Sequence, residues 1–447
     1  MLRLKSGVKL IQKEKGGKEM KKSLWMLIVL MLISLATIPL YAGEIDILLQ
    51  KLVEKGILSP GEAQEIKIET QEQVKKEIAE GKFSNLPSWV QNTKLKGDFR
   101  LRYQYDHSKK LPTTTGTTDR HRGRVRLRLG LESKVNEKLL VGVGLATGLN
   151  DGSADASRST NVSFSDSSSK KSISLDYAFA QYSPFGWLTL IGGKFKNPLW
   201  EPGDLIWDTD INPEGGAFKL SKKLSSNTEL FMNTGILVID ESSDYGADPM
   251  MYVIQPGLSH KFNDNISLKG AFSYYGFSGV KGKKLDGTAG TNSKDASGKL
   301  IYNYKNIVPA LELGFKEPFK MLKLDIPYFA LFAEYVENID SSVKDDNSGY
   351  MLGFKLGAEK IEKWADWQLR YNYARYAKDA FLDILPDSDR YGGKTGVKAH
   401  EIMLDWGLGK NTWLGLDYYY GEQLEGNFGQ KQSKPASLIQ VDWNMKF

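Results

Sequence analysis

Six arginines and a lysine stand out by their spacing. Arg122, Arg124, Arg126 and Arg128 take alternate positions of one segment, and Lys96, Arg100 and Arg102 take alternate positions of the segment before it. Alternate residues of an extended chain share a face, so each set is a column of positive charge. Further on, residues 197–215 carry Glu201, Asp204, Asp208, Asp210 and Glu214 and no base. The same stretch holds Trp200, Leu205, Ile206 and Trp207, which a loop in free water does not need. Opposed sets of fixed charge create a field; they do not break bonds. Signs of bond-breaking chemistry are sparse. The four histidines, His107, His121, His260 and His400, have no metal-ligand spacing, and neither a nucleophile elbow nor a phosphate loop is present. Arg390 and His400 read as an incidental pair. With no cysteine, disulfides, thiolate metal sites, a cysteine nucleophile and a lipoprotein anchor are all excluded. No cofactor or metal is expected.

The elements that position these charges are strands. From Thr93 to Phe447 helical periodicity gives way to alternation. In 94–105, Leu95, Phe99, Leu101, Tyr103 and Tyr105 oppose Lys94, Lys96, Asp98, Arg100, Arg102 and Gln104. In 122–135, Val125, Leu127, Leu129 and Leu131 oppose the four arginines. Short turns at 136–138, 183–186, 222–227, 263–265 and 410–411 alternate with long Ser/Gly/Asp/Thr-rich stretches at 106–119, 149–171, 277–300 and 377–395. That rhythm belongs to an antiparallel transmembrane β-barrel, with tight turns on one side of the membrane and long loops on the other. About sixteen alternating segments can be counted, an even number that returns the chain to its starting side. Mean hydropathy is negative, which argues against membrane helices but not against a barrel.

A barrel constrains the ladder. Arginines near the membrane midplane cannot face lipid, where each costs several kcal/mol, so they line water. There they act as a positively charged wall that draws anions or orients dipolar solutes, or as a solvated wall neutralised by carboxylates such as Asp98, Glu132 and Asp176. The acidic loop, with its apolar residues, either folds inward to face the ladder or is a surface loop with a hydrophobic tuck. Small residues on one face of the third segment, Gly142, Gly144, Ala146 and Gly148 after Leu140, leave room for bulky neighbours or an inserted loop.

The first 42 residues read as export machinery. Met20-Lys21-Lys22 precede the apolar run 24–36, Pro39 breaks it, and Ala42 is a small residue at the expected cut. Met20 is a candidate start. This segment holds eight basic and two acidic residues, so the formal charge of +6 lies entirely within it. The rest is balanced, and nucleic acid is not an expected partner. Residues 43–92 read as a helical hairpin and linker. Ile45, Leu48, Leu49, Leu52 and Val53 recur at helical spacing, Gly56 stops the first helix, and Ser59-Pro60-Gly61-Glu62 is a capping box. The hairpin is expected in the periplasm, as a coiled-coil or plug element or as a solvated spacer. Residues 93–447 form the barrel.

The chain ends inside a strand, with Ile439, Val441, Trp443, Met445 and Phe447 on one face. The alternating end, with Trp443 and the terminal Phe447, looks like an assembly signal read by barrel-insertion machinery.

Several runs resemble a family of outer-membrane porins, distantly like the general and the phosphate-selective porins. They are residues 123–131, 193–198, 204–216, 387–390 (Asp387-Ser388-Asp389-Arg390) and, in the helical segment, 51–58. In general porins the third loop constricts the pore and opposed charges set a transverse field; the resemblance implies the same here, in a homotrimer. The function expected is passive diffusion of small hydrophilic solutes and ions across the outer membrane. An outer-membrane hydrolase and a structural barrel tethering envelope layers are the alternatives.

Overall fold

A computed structural model describes residues 43–79, 92–109, 117–149, 151, 153–241, 247–424 and 435–447. The expected export segment, its cut after Ala42 and the linker glycine Gly81 lie outside the described residues. Two compact units divide the chain at Leu86 and Pro87.

In the first unit, α1 spans Gly43–Glu54 and α2 spans Pro60–Ala79. Gly56 has φ 69°, the left-handed backbone that a helix stop requires. The capping box forms as its residue types dictate. Ser59 N donates to Glu62 Oε2 at 2.8 Å, and Glu62 N donates to Ser59 Oγ at 3.3 Å. Ile66 and Ile68 stay exposed, as the sparse apolar spacing of α2 implies. No described helix is long and apolar enough to cross a membrane.

The second unit is a closed antiparallel barrel. Its sixteen strands among the described residues are β1 Thr93–Lys109, β2 Thr117–Lys134, β3 Leu139–Thr147, β4 Ile173–Phe185, β5 Leu188–Lys194, β6 Glu214–Lys223, β7 Thr228–Val238, β8 Met250–Lys261, β9 Ile266–Ser278, β10 Lys305–Lys316, β11 Tyr328–Asn338, β12 Ser348–Gly357, β13 Trp367–Tyr376, β14 Val397–Gly409, β15 Thr412–Gln423 and β16 Ala436–Lys446. All sixteen expected segments are present. A two-residue strand, Val162–Ser163, adds to β2 from a loop. β1 pairs with both β2 and β16, so no edge is left.

Alternation decides which way each side chain points. Leu95, Leu101, Tyr103, Leu129 and Leu131 are exposed on the outer face, whereas Arg102, Gln104, Arg124 and Arg126 between them are buried. Turn chemistry matches the short connections. Asn136 Oδ1 accepts from Lys138 N and Leu139 N, both at 2.9 Å, and Asn263 Oδ1 accepts from Asn265 N and Ile266 N at 2.8 and 2.9 Å. Small residues on β3 face large ones on β4: a Cβ on Gly142 would meet Phe179, and one on Gly144 would meet Tyr177.

The loops depart from expectation at 106–119, at 377–395 and, where Val280, Leu285 and Leu300 are buried, at 277–300. Much of 106–119 is strand, because cross-strand pairs such as Arg122–Asp106 (2.8 Å) and His107–Asp119 (2.6 Å) extend the ladder. The stretch 377–395, expected as a wet outer loop, is largely buried. Ala380, Phe381 and Leu382 have no exposure, and Asp383 has 1%. Its apolar residues form one core with Leu205, Ile206 and Trp207 of the 195–213 loop, Val280, Leu285 and Leu300 of the 279–304 loop, and wall residues including Tyr275 and Phe277. Three loops thus fill part of the barrel interior with a dry core, which gives their apolar residues cover that a surface loop cannot supply.

Candidate functional site

The ladder stands on β1 and β2 in register. Arg100 is the Cα partner of Arg126, and Arg102 of Arg124. Like charges so close need counter-charges, and the wall supplies most of them. Asp98 takes Arg126 Nη2 at 2.9 Å and Arg128 Nε at 2.7 Å. Asp442 on β16 takes Arg102 Nε and Nη2, both at 2.8 Å, and Arg100 Nε at 3.2 Å. Asn444 accepts from Arg100 Nε at 2.8 Å, Asp106 pairs with Arg122, and Glu132 pairs with Lys96. Arg124 donates to Gln104 Oε1 at 2.9 Å and to the Asn161 carbonyl at 2.7 Å.

The 195–213 loop turns inward where β5 ends. Gln255 on the wall clamps it, with Trp200 N donating to Gln255 Oε1 (2.8 Å) and Gln255 Nε2 donating to the Trp200 carbonyl (2.9 Å). Its acids then part company. Asp210 reaches the ladder: Arg128 Nη1 lies 3.2 Å from Oδ1, while Thr160 N and Oγ donate to Oδ2. Burial pushes the Asp210 carboxyl up, but Arg126 and Arg128 outweigh it and hold the group below the usual carboxylate range. Asp204 pairs with Arg390 at 2.6 Å, on the 377–396 loop, and Arg390 with Arg370 keeps it low against the pull of burial. Asp208 accepts from Ser388 N (2.9 Å) and Asp210 N (2.9 Å). Burial and then the neighbouring Asp210 push it up to about 8. Glu201 is raised by burial and by Glu334 on β11. Glu214 opens β6 and pairs with Lys194 at 2.8 Å. Of the five acids singled out by sequence, only Asp210 contacts an arginine of the ladder among the recorded ion pairs of the described residues.

Residues not singled out complete the arrangement. Arg158, 1% exposed, inserts from the 151–171 loop into the 377–396 loop and donates to the carbonyls of Asp383 (3.3 Å), Pro386 (3.1 Å) and Gly393 (3.2 Å). Asp389 of that loop lies 3.3 Å from Arg102. Arg390 also donates to Glu401 on β14 at 2.8 Å. Alternation had put Asp98 and Asp442 on the polar face, so those two were available to a reader of pattern. Arg158 and Asp389 sit in irregular loops, where spacing carries no direction.

Two cavities adjoin the ladder. One, of about 760 Å³, is lined by Arg100, Arg126, Arg128, Asp98, Asp208 and Asp210 among others. The other, of about 480 Å³, is lined by Arg122, Arg124, Gln104, Asp389, Tyr391 and Tyr419 among others. A closed barrel with a charged interior wall, loops packed inside it and an apolar outer belt is the architecture of a membrane channel.

A family model described as Putative porin matches residues 104–307 and 319–447. The chain belongs to that family. It is an outer-membrane channel for passive diffusion. Among solved structures, the high-pH structure of OprB from Pseudomonas putida matches with 11% identity over 80% of this chain and 94% of that chain, at TM-score 0.51. Its likeness supports the closed barrel. OmpF of Salmonella typhi in complex with daunomycin matches with 12% identity over 79% and 97%, at TM-score 0.44. The outer-membrane channel DcaP of Acinetobacter baumannii matches with 15% identity over 79% and 97%, also at 0.44. No match was found among curated proteins. Two of the runs that carried the family resemblance, 204–216 and 387–390, touch each other through Arg390–Asp204 and Ser388–Asp208 although 180 residues or more separate these pairs.

Proposed function

We propose that small hydrophilic solutes and ions cross this porin along the arginine ladder. The pore wall is formed by Lys96, Arg100, Arg102, Arg122, Arg124, Arg126 and Arg128 and is narrowed by the 195–213 loop with its acids. The observation that carries this reading is the pair of cavities, both lined by ladder arginines and by inward-folded loops. Water-filled space beside fixed charges of both signs selects by size and by dipole rather than strongly by net charge. Purified protein in a planar bilayer tests it. Discrete conductance steps with a small reversal potential in a salt gradient are expected; a silent bilayer overturns the reading.

Binding and diffusion, without catalysis, suffice for this role. The histidines bond to side chains on the strands: His107 to Asp119, His121 to Tyr103, His260 to Thr228 and His400 to Tyr371. None has a serine against it among these pairs. A homotrimer in outer-membrane lipid is the assembly we expect from the family, checked by crosslinking in detergent.

The chain divides into an exported leader (1–42), a periplasmic helical segment (43–92) and the barrel (93–447). An even strand count places both ends of the barrel on one side, with the short turns. A tag at Ala296, whose neighbours Asp295 and Ser297 are exposed, will be labelled on intact cells, and a tag near Lys75 will not. The reverse pattern would sink this topology.

Phe447 closes the barrel seam, exchanging backbone bonds with Gly97 (2.9 and 3.0 Å) and covering that glycine with its ring. Replacing Phe447 by Asp is expected to reduce folded, heat-modifiable barrel in the outer membrane severalfold, since the insertion machinery loses its terminal aromatic beside Trp443. Undiminished folded protein would show that the end is not a signal.

A further inference from the structure

The ladder arginines do not share one cavity. Arg122 and Arg124 line the 480 Å³ cavity with Gln104; Arg100, Arg126 and Arg128 line the 760 Å³ cavity. Arg102 stands between Arg100 and Gln104 on β1, lines neither cavity and is 5% exposed. At about 3.4 Å per residue, the four steps from Arg100 to Gln104 cover about 14 Å, so Arg102 marks the level where the two cavities approach.

Two elements hold the Arg102 guanidinium. Asp442 is its cross-strand Cα partner, receives Nε and Nη2 at 2.8 Å each, and is 2% exposed. That bidentate pair is built into the sheet. Asp389 receives Nη1 at 3.3 Å, a single longer contact from the 377–396 loop, and its side chain is 27% exposed at the 480 Å³ cavity. The wall half of the clamp is therefore fixed by strand register, and the loop half is held only by the loop's own packing.

We propose that the Asp389–Arg102 contact is the narrowest point of the pore and sets its selectivity, so that the 377–396 loop constricts the channel together with the 195–213 loop. The proposal rests on the channel reading above. Asp389 contributes in two ways: its side chain takes up space beside Arg102 at the 480 Å³ cavity, and its charge offsets a wall that carries Arg102 and Arg124.

The two contributions separate by experiment. In 1 M KCl the Debye length is about 3 Å, so conductance there reads mainly size, whereas at 0.1 M, with about 10 Å, reversal potential reads charge. Asp389→Ala is expected to raise single-channel conductance in 1 M KCl about 1.5- to 2-fold. Asp389→Asn keeps the volume; it should leave that conductance near wild type but move the reversal potential toward anions at 0.1 M. Glu422→Gln, an acid paired with Lys398 at 2.7 Å, removes one charge elsewhere and should change neither. If wild-type protein gives no channels, the channel reading itself fails. If wild type conducts and neither Asp389 variant differs from it, or Glu422→Gln shifts the potential as much as Asp389→Asn, the proposal is overturned. Should Asp389→Ala not fold by heat-modifiability, the near-isosteric Asp389→Asn decides alone: an unchanged potential refutes it.

Discussion

Replacing Arg158 by alanine will raise single-channel conductance about twofold and make the open current noisy, while the barrel still folds. The expectation follows from where the side chain is. Its guanidinium fits against Gly393, where a Cβ would collide with it, and it donates to three carbonyls of the 377–396 loop. Ser388 Oγ returns a bond to the Arg158 carbonyl at 2.9 Å. Hydrogen bonds from a charged donor contribute about 1.5–3 kcal/mol each, and buried carbonyls left without a donor cost about 1–3 kcal/mol. Truncation at this one position therefore removes a sum comparable to what holds a loop of this length in one conformation. The strand ladders do not depend on it, so heat-modifiability should survive. Arg158→Lys should lie between wild type and alanine, because all three bonds leave from Nη1 and the lysine side chain ends one bond short of that position. Bilayer recordings of both variants check this. A wild-type conductance in Arg158→Ala would mean that the apolar core around Phe381 holds the loop unaided.

Neutralising Asp210 should move the reversal potential toward anions at pH 7 and 0.1 M salt, while neutralising Asp208 should do almost nothing. Sequence alone treats the two as equal members of an acidic loop. Their surroundings make them opposites. Asp210 faces Arg126 and Arg128 and stays ionised; Asp208, enclosed with Asp210, Asp387 and Asp389, is pushed up to about 8 and holds its proton at pH 7. The sign for a raised carboxyl is plain: it is neutral below about 8 and gains its negative charge only above. Raising the pH from 7 to 9 should therefore turn the wild-type channel toward cations, and Asp208→Asn should abolish that change. Asp387, beside it, is also raised by burial and by Asp208. Asp210→Asn should shift the permeability ratio about twofold, and the shift should shrink as the Debye length falls from about 10 Å at 0.1 M to about 3 Å at 1 M. Equal effects of both substitutions at pH 7 would show that Asp208 is ionised there. Neutralising Arg124 and Arg126 together should move the potential the other way.

What could be read from the residues follows one physical rule. A strand has a period of two, so the identity of each residue states which face it takes. That is why Arg100, Arg102, Arg124, Arg126 and Arg128 were legible as an inward column, Leu101 and Leu129 as lipid-facing, and Gly142 and Gly144 as room for bulky neighbours or an inserted loop, which the fold fills with Phe179 and Tyr177. Turn residues such as Asn136 and Asn263 act through bonds to their own neighbours, and Ser59 with Glu62 caps a helix within four residues. All of these are local. The partners of the ladder are not local. Arg102 and Asp442 are 340 residues apart and meet because β1 closes on β16 in one particular register. The 377–396 loop has no period to announce its direction; its Ser, Asp and Gly content suits water. It goes inward because Phe381, Leu382 and Leu385 find an apolar core there, and because Arg158, Asp208 and Thr291 satisfy its polar groups. Neither condition is a property of the loop itself. The charge state of Asp208 is of the same kind, since a carboxyl's affinity for its proton depends on what surrounds it, and only the assembled tertiary structure sets those surroundings.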